Sequence, residues 1–240
     1  MSDGIKNYRN MVDQPWGKMF YELIYRQLNL SDDRKLKILD FGAGFCITAD
    51  HYAGVHDVIA LEPNEEMRSL RVSNNSYSLV DKGIDHLVTL DDDSFDLVIC
   101  HNVLEYAEDK ESILKELIRV TKPGGKLSIV KHNLYGRVMG SAVLADDPKT
   151  ALSLLNQEDE NSMFGKRDVY SNEWLIKLLG EKMDLVDTYA IRTFFGLSSN
   201  NDIKYTDDWY QSMLELETKV SGMDEFKKVA FFNHLIFKKN

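Results

Sequence analysis

Gly42 and Gly44, with Asp40 just before them and Glu62 twenty residues after Gly42, are the residues whose types and spacing suggest chemistry. They lie in "ILDFGAGFCITADHYAG" and "DVIALEP". A glycine turn between a strand and a helix lets a ligand approach the backbone closely. A carboxylate ending the next strand can accept two hydrogen bonds from a ribose diol. A dinucleotide fingerprint needs a third glycine where Ile47 stands, and no G-K-[ST] follows to make a P-loop. The spacing therefore suits a cofactor with a free ribose that need not carry phosphates. S-adenosylmethionine meets both conditions, and its positive sulfonium makes Asp40 a favourable neighbour. The alternatives are a cofactor-binding module without catalysis and a nicotinamide-dependent reductase, which Ile47 disfavours.

The elements that must position these residues follow from hydrophobic periodicity. Met19, Phe20, Leu23, Ile24 and Leu28 in "GKMFYELIYRQLNL" share one helical face. "KLKILDFG", "DVIALEP", "SFDLVICHNV" and "KLSIVKHN" read as buried strands, and "YSLV" as a short one. Helices follow at "FCITADHYA", at "NEEMRSLRV" with Asn64 as N-cap, and at "DKESILKELIRVTKPGG", which "KPGG" ends and turns. Strands alternating with helices predict right-handed βαβ units around a parallel sheet. After His132 the alternation breaks. Residues 134–170 show no obvious strand and contain "ADDP" and "NQEDEN", which predicts an inserted helical cap. The pattern resumes with a helix near "NEWLIKLLGEK", a strand near "DLVDTYAIRTF", a helix near "DDWYQSMLELETKV" and a strand near "VAFFNHLIFKK". The chain reads as one 1–240 domain carrying that insertion.

Composition removes several classes. Net charge is -10 at pH 7, unsuited to non-specific grip on a phosphate backbone. Cys46 and Cys100 have no metal-ligand spacing and read as reduced thiols. "LDDDSFD" reads as a solvated acidic turn, and no metal site is expected. No apolar run approaches the ~20 residues that span a bilayer, so a cytoplasmic protein is expected.

The motifs together resemble the class I S-adenosylmethionine-dependent methyltransferases, in particular the type 11 group. "ILDFGAGFCITA" resembles the family's first motif and "IALEPNEEM" its acidic second. "FDLVICHNVLEYAEDKESILKELIRVTKPGGKLSIV" resembles the family's fourth and fifth strands, so the likeness covers roughly residues 36–132. It implies a Rossmann-like, seven-stranded, mostly parallel sheet with an antiparallel last strand, here "FFNHLIFKK". It also implies roles. Gly42, Ala43 and Gly44 would pass close to the methionine part of the cofactor, and Glu62 would bind the ribose. Asn64 and Met67 would lie near ribose and adenine, Ile84 and Asp85 at the adenine edge, and His101 at the methionine end. The family commonly has a third glycine where Cys46 stands.

A second resemblance lies in the flanks. "WGKMFYEL", "HNVLEYAED", "VKHNLYGRVM", "IRTFF" and "LELETKV" are similar to the bacterial methyltransferases that esterify carboxymethoxyuridine at the tRNA wobble position, which often have arginine where Phe20 stands. Lys131, His132 and Arg192 stand near strand ends; Lys131 and His132 read first as a solvated strand end, but parallel strands would bring all three to one ligand edge. Such a cationic set suits an anionic, carboxylate acceptor, on a tRNA or on a small molecule. A carboxylate is already deprotonated at pH 7, in keeping with the lack of an evident general base. "HNVL" stands where exocyclic-amine methyltransferases carry N-P-P-[YF], which argues against that chemistry.

Overall fold

The computed structural model describes residues 3–156, 160–162 and 165–240. Two helices precede the sheet, α1 (Asp3–Val12) and α2 (Pro15–Leu28). In α2, Met19, Phe20, Leu23, Ile24 and Leu28 are all buried, the face their spacing predicts. Pro15 opens that helix, and Asn29 closes it in the left-handed conformation. The sequence reading missed α1, whose apolar stripe of Ile5, Tyr8 and Val12 is short and buries only Val12 fully.

The alternating part runs β1 (Lys37–Phe41), α3 (Ile47–Ala53), β2 (Asp57–Leu61), α4 (Glu65–Ser69), β3 (Ser78–Val80), α5 (Ile84–Leu87), β4 (Phe95–His101), α6 (Lys110–Val120) and β5 (Thr121–His132). Next come α7 (Leu134–Met139), a π-helical turn (Gly140–Leu144), α8 (Pro148–Leu155), β6 (Glu160–Ser162) and β7 (Gly165–Arg167). The chain closes with α9 (Asn172–Leu179), β8 (Met183–Ile191), α10 (Asp207–Val220), α11 (Asp224–Lys227) and β9 (Phe232–Lys239). The sheet order is β3-β2-β1-β4-β5-β9-β8. All neighbours are parallel except those of β9, which is antiparallel to both β5 and β8. β8 therefore runs parallel to β5.

Two core clusters flank the sheet. One packs Leu39, Val98, Leu127 and Ile129 against Leu114, Leu117 and Leu175 of α6 and α9. The other packs Ile38, Leu97, Ile99 and Val130 against α2 and α3. Alternation along each strand thus sorts side chains into an α2 face and an α9 face.

Three local readings are corrected. "KPGG" does not separate helix from strand: α6 stops at Val120 and β5 starts at Thr121. The glycines form an irregularity inside the strand, where pairing jumps from Phe95↔Thr121 to Leu97↔Lys126. A Cβ on Gly125 would sit 3.1 Å from the Phe95 and Asp96 carbonyl oxygens. Second, residues 134–170 do contain strands, the β6–β7 ladder, too short and polar to show alternation. Residues 157–159 of "NQEDEN" lie outside the described residues. Third, Lys131 is not a solvated strand end but is buried. Among the described residues no helix is long and apolar enough to cross a membrane.

Candidate functional site

The glycine turn sits at the carboxyl end of β1, between β2 and β4, the edge where open α/β sheets hold ligands. Gly42 (φ 72°) and Gly44 (φ 55°) both take the left-handed conformation. A side chain on Gly42 would run into Val103, and one on Gly44 would press within 3.2 Å of the Met67 methyl carbon. Cys46, at φ 55°, holds a third left-handed position just before α3. The backbone there has the geometry that a glycine would adopt freely, and cysteine accepts it at a cost of about 1–2 kcal/mol.

Glu62 fastens this turn. Its carboxylate accepts from the Gly44 N–H and from the Asn64 N–H, each at 2.7 Å. Burial pushes its pKa up, and the two backbone donors oppose that rise. Asn64 caps α4 by accepting from the Met67 N–H at 3.1 Å, as the sequence suggested. Ile84 is half-buried at the start of α5, and Asp85 beside it is exposed.

Asp40 lies on β1, on the α2 face, in register with Ile99 of β4. It is buried, and its Oδ2 has no hydrogen-bond partner among the described residues. Burial, and then the nearby Glu62 charge, raise its pKa to about 7. His101 lies on the same face, two residues beyond Ile99. Its Nε2 is 2.7 Å from the Ser128 hydroxyl, and its Nδ1 is buried with no partner among the described residues. Two orphaned polar atoms thus share one face at the end of adjacent strands.

The structure brings Lys131, His132 and Arg192 to one sheet edge but not to one place. Lys131 points to the α9 face, where its ammonium lies 5.0 Å from the Tyr170 ring. It lines a cavity of about 1110 Å³ with Glu105, Tyr170 and Asn172. Burial lowers its pKa to about 8. His132 points to the other face, where its ring lies tilted with its centre 4.7 Å from that of Phe232, and it meets the Glu105 carboxylate through Nδ1 and its backbone N–H. Burial pushes Glu105 up, but the His132 bonds outweigh it and hold the carboxyl below its usual range.

Arg192 follows β8 with φ 59°, and this left-handed turn carries its side chain to the α2 face. The guanidinium lies over the rings of Trp16 (5.2 Å), Phe195 (5.6 Å), Phe231 (5.6 Å) and Phe232 (5.9 Å). Its Nε is buried and unpartnered, and among the described residues the side chain makes no ion pair. Burial lowers its pKa to about 10, partly offset by Glu217. Glu217 is engaged elsewhere, accepting from the backbone N–H groups of Thr193, Phe194 and Phe195. Those bonds clamp the loop that follows Arg192. Gly136, Gly140 and Gly196 leave no room for a side chain against Ala230 and Phe231, so α7 and the π turn wall one side of this aromatic box.

Sequence reasoning missed Trp16 as a neighbour of Arg192, Glu217 as the clamp, and Glu105 as the partner of His132. Glu217 carried a signal: it stands three residues after Leu214 and three before Val220, on the inner stripe of α10.

Residues 39–129 match the methyltransferase domain family. The chain is 24% identical to tRNA 5-carboxymethoxyuridine methyltransferase of Escherichia coli K12, over 96% of this chain and 92% of that one. It is also 24% identical to ubiquinone biosynthesis O-methyltransferase of Rickettsia prowazekii, over 84% of this chain and 81% of the other. Its fold is similar to a SAM-dependent methyltransferase of Aquifex aeolicus, with TM-score 0.56, 13% identity and 97% of each chain covered. The matched segment, residues 39–129, is a methyltransferase domain, and it holds the glycine turn, Glu62 and His101.

Proposed function

We propose that this methyltransferase passes its methyl group to a carboxylate of the acceptor, held by Arg192. The observation that carries the reading is the half-buried arginine in an aromatic box, whose Nε is buried and has no partner among the described residues. An unpaired buried cation is costly, and a carboxylate can satisfy it through two parallel hydrogen bonds. The aromatic walls strengthen that pairing by excluding water. Lys131, on the opposite face, is given no part in holding the same carboxylate. His132 borders the box through Phe232.

In this reading Glu62 meets the cofactor ribose by exchanging a backbone bond, with Asn64 and Met67 beside it. Gly42, Ala43 and Gly44 form the floor under the methionine part, and Ile84 with Asp85 the adenine edge. The orphaned Asp40 Oδ2 and His101 Nδ1 fit an ammonium group, which S-adenosylmethionine carries. S-adenosylmethionine supplies a methyl group on a positive sulfonium. The chain's own task is alignment and exclusion of water. No residue is needed to remove a proton from a carboxylate. The helices after β5, α7 and α8, serve as the cap over the acceptor side.

The similarity to the Escherichia coli enzyme supports carboxymethoxyuridine in tRNA as the carrier of that carboxylate. The net charge of -10 favours a second reading, a small carboxylic acid. Transfer to tRNA lacking the ester, compared with a panel of small carboxylic acids, decides between them. A neutral amine or phenol as the preferred acceptor would overturn both.

A further inference from the structure

Gln27 Nε2 donates to the Ala190 carbonyl at 3.0 Å. A carbonyl only accepts, so the amide orientation is settled and Gln27 Oε1 faces His234 Nδ1 at 2.8 Å. His234 must donate from Nδ1. It is fully buried, no carboxylate of the described residues lies against it, and burial takes its pKa down to about 3. A neutral imidazole with its proton on Nδ1 has a lone pair on Nε2. That lone pair accepts the Ser128 hydroxyl proton at 2.8 Å. Ser128 Oγ, its proton committed, accepts from His101 Nε2 at 2.7 Å. His101 is thereby left with a lone pair on Nδ1, the atom that has no partner.

We infer that Gln27, Ser128 and His234 are positioning residues that lock His101 in the Nε2–H tautomer, making its Nδ1 an acceptor for the ammonium of the cofactor's amino-acid end. The chain of donors crosses from α2 through β9 and β5 to β4, and every member is on the α2 face. It begins at a backbone carbonyl of β8, which cannot change polarity. The other tautomer would set an N–H where the ammonium arrives. The neighbouring acceptor, Asp40 Oδ2, is on the next strand and the same face, so two acceptors converge on one donor group. The inference rests on the cofactor placement proposed above and is independent of what the acceptor is.

Two measurements test it. Nitrogen-15 NMR of the ligand-free protein at pH 7 reads the tautomer directly. His101 should show a pyridine-type Nδ1 and a pyrrole-type Nε2, and His234 the reverse. A protonated Nδ1 on His101 overturns the proposal. The second measurement compares binding of S-adenosylhomocysteine with an analogue lacking only its amino group. Wild type should favour the amino compound at least about tenfold. Gln27→Met removes the constraint on His234, and Ser128→Ala breaks the chain. Both should bring the preference down to threefold or less, with binding of the deaminated analogue unchanged. Ser128→Thr keeps the hydroxyl and should keep the preference. Equal weakening of both ligands in the variants would mark the chain as merely structural and overturn the proposal. The tautomer readout on wild type needs no variant to fold.

Discussion

Glu62 and Gly44 are joined by a 2.7 Å hydrogen bond from the glycine N–H to the carboxylate that ends β2. The same carboxylate reaches Asn64, so one side chain spans the turn after β1 and the start of α4. This gives Glu62 a structural part that its spacing alone does not disclose.

Glu62→Ala should weaken S-adenosylmethionine binding by roughly 1–3 kcal/mol, the scale of hydrogen bonds to a charged group. It should also lower the melting temperature of the ligand-free protein, because two backbone donors lose their acceptor. Calorimetric titration and thermal denaturation of one preparation measure both. Lost affinity with unchanged melting would mean that the turn does not depend on Glu62.

Asp40 gives a pH dependence. Its folded pKa, near 7, lies above the usual carboxylate value, so the folded state holds a proton that the unfolded chain has lost. Ligand-free stability should therefore fall as pH rises from about 4 to about 7. Cofactor binding should move the other way, because an ammonium prefers the ionised carboxylate. Affinity should rise about fivefold from pH 6 to pH 7. Asp40→Asn should flatten the binding profile and raise ligand-free melting at pH 8. A profile that stays steep in the variant assigns the titration to another group.

Arg192→Lys should lower kcat/KM for a carboxylate acceptor by about 10–100-fold, since lysine cannot form the paired hydrogen bonds. Cofactor affinity should stay within about twofold, because Arg192 lies in the aromatic box rather than at the glycine turn. Steady-state kinetics and titration with S-adenosylhomocysteine separate the two effects. Unchanged kcat/KM would remove Arg192 from the site.

Both thiols should be inert in the folded protein. Cys46 and Cys100 are buried, and burial pushes the Cys46 pKa up to about 12 and that of Cys100 well above its usual value. A thiol reagent at pH 8 should label neither until denaturant is added. Rapid labelling of Cys46 in native buffer would mean that the turn before α3 opens.

The sheet was legible because its strands carry continuous apolar runs such as "LVIC", and because glycine and Asn64 punctuate them. The cofactor edge was legible for the same reason: its residues are local to β1, β2 and their turns. The Arg192 box was not. Trp16 and Phe232 meet there from opposite ends of the chain, and only the sheet order makes them neighbours. The divergence of Lys131 and Arg192 was hidden too. Alternation sends Lys131 to one face, and the left-handed backbone at Arg192 reverses the side that alternation would give. The Gln27–His234–Ser128–His101 chain likewise joins four separate elements, and periodicity marks His234 only as one more inward position.

The central claim is that the acceptor atom is a carboxylate oxygen. The most direct test is to incubate the protein with S-adenosylmethionine labelled in its methyl group, together with tRNA lacking the carboxymethoxyuridine ester or with small carboxylic acids. The product is then treated with mild alkali. A methyl ester releases its label as volatile methanol, and that is the result expected here, with the signal much reduced in Arg192→Lys. Label that is transferred but stays fixed to the acceptor through alkali would place the methyl on nitrogen, carbon or an ether oxygen and would contradict the account.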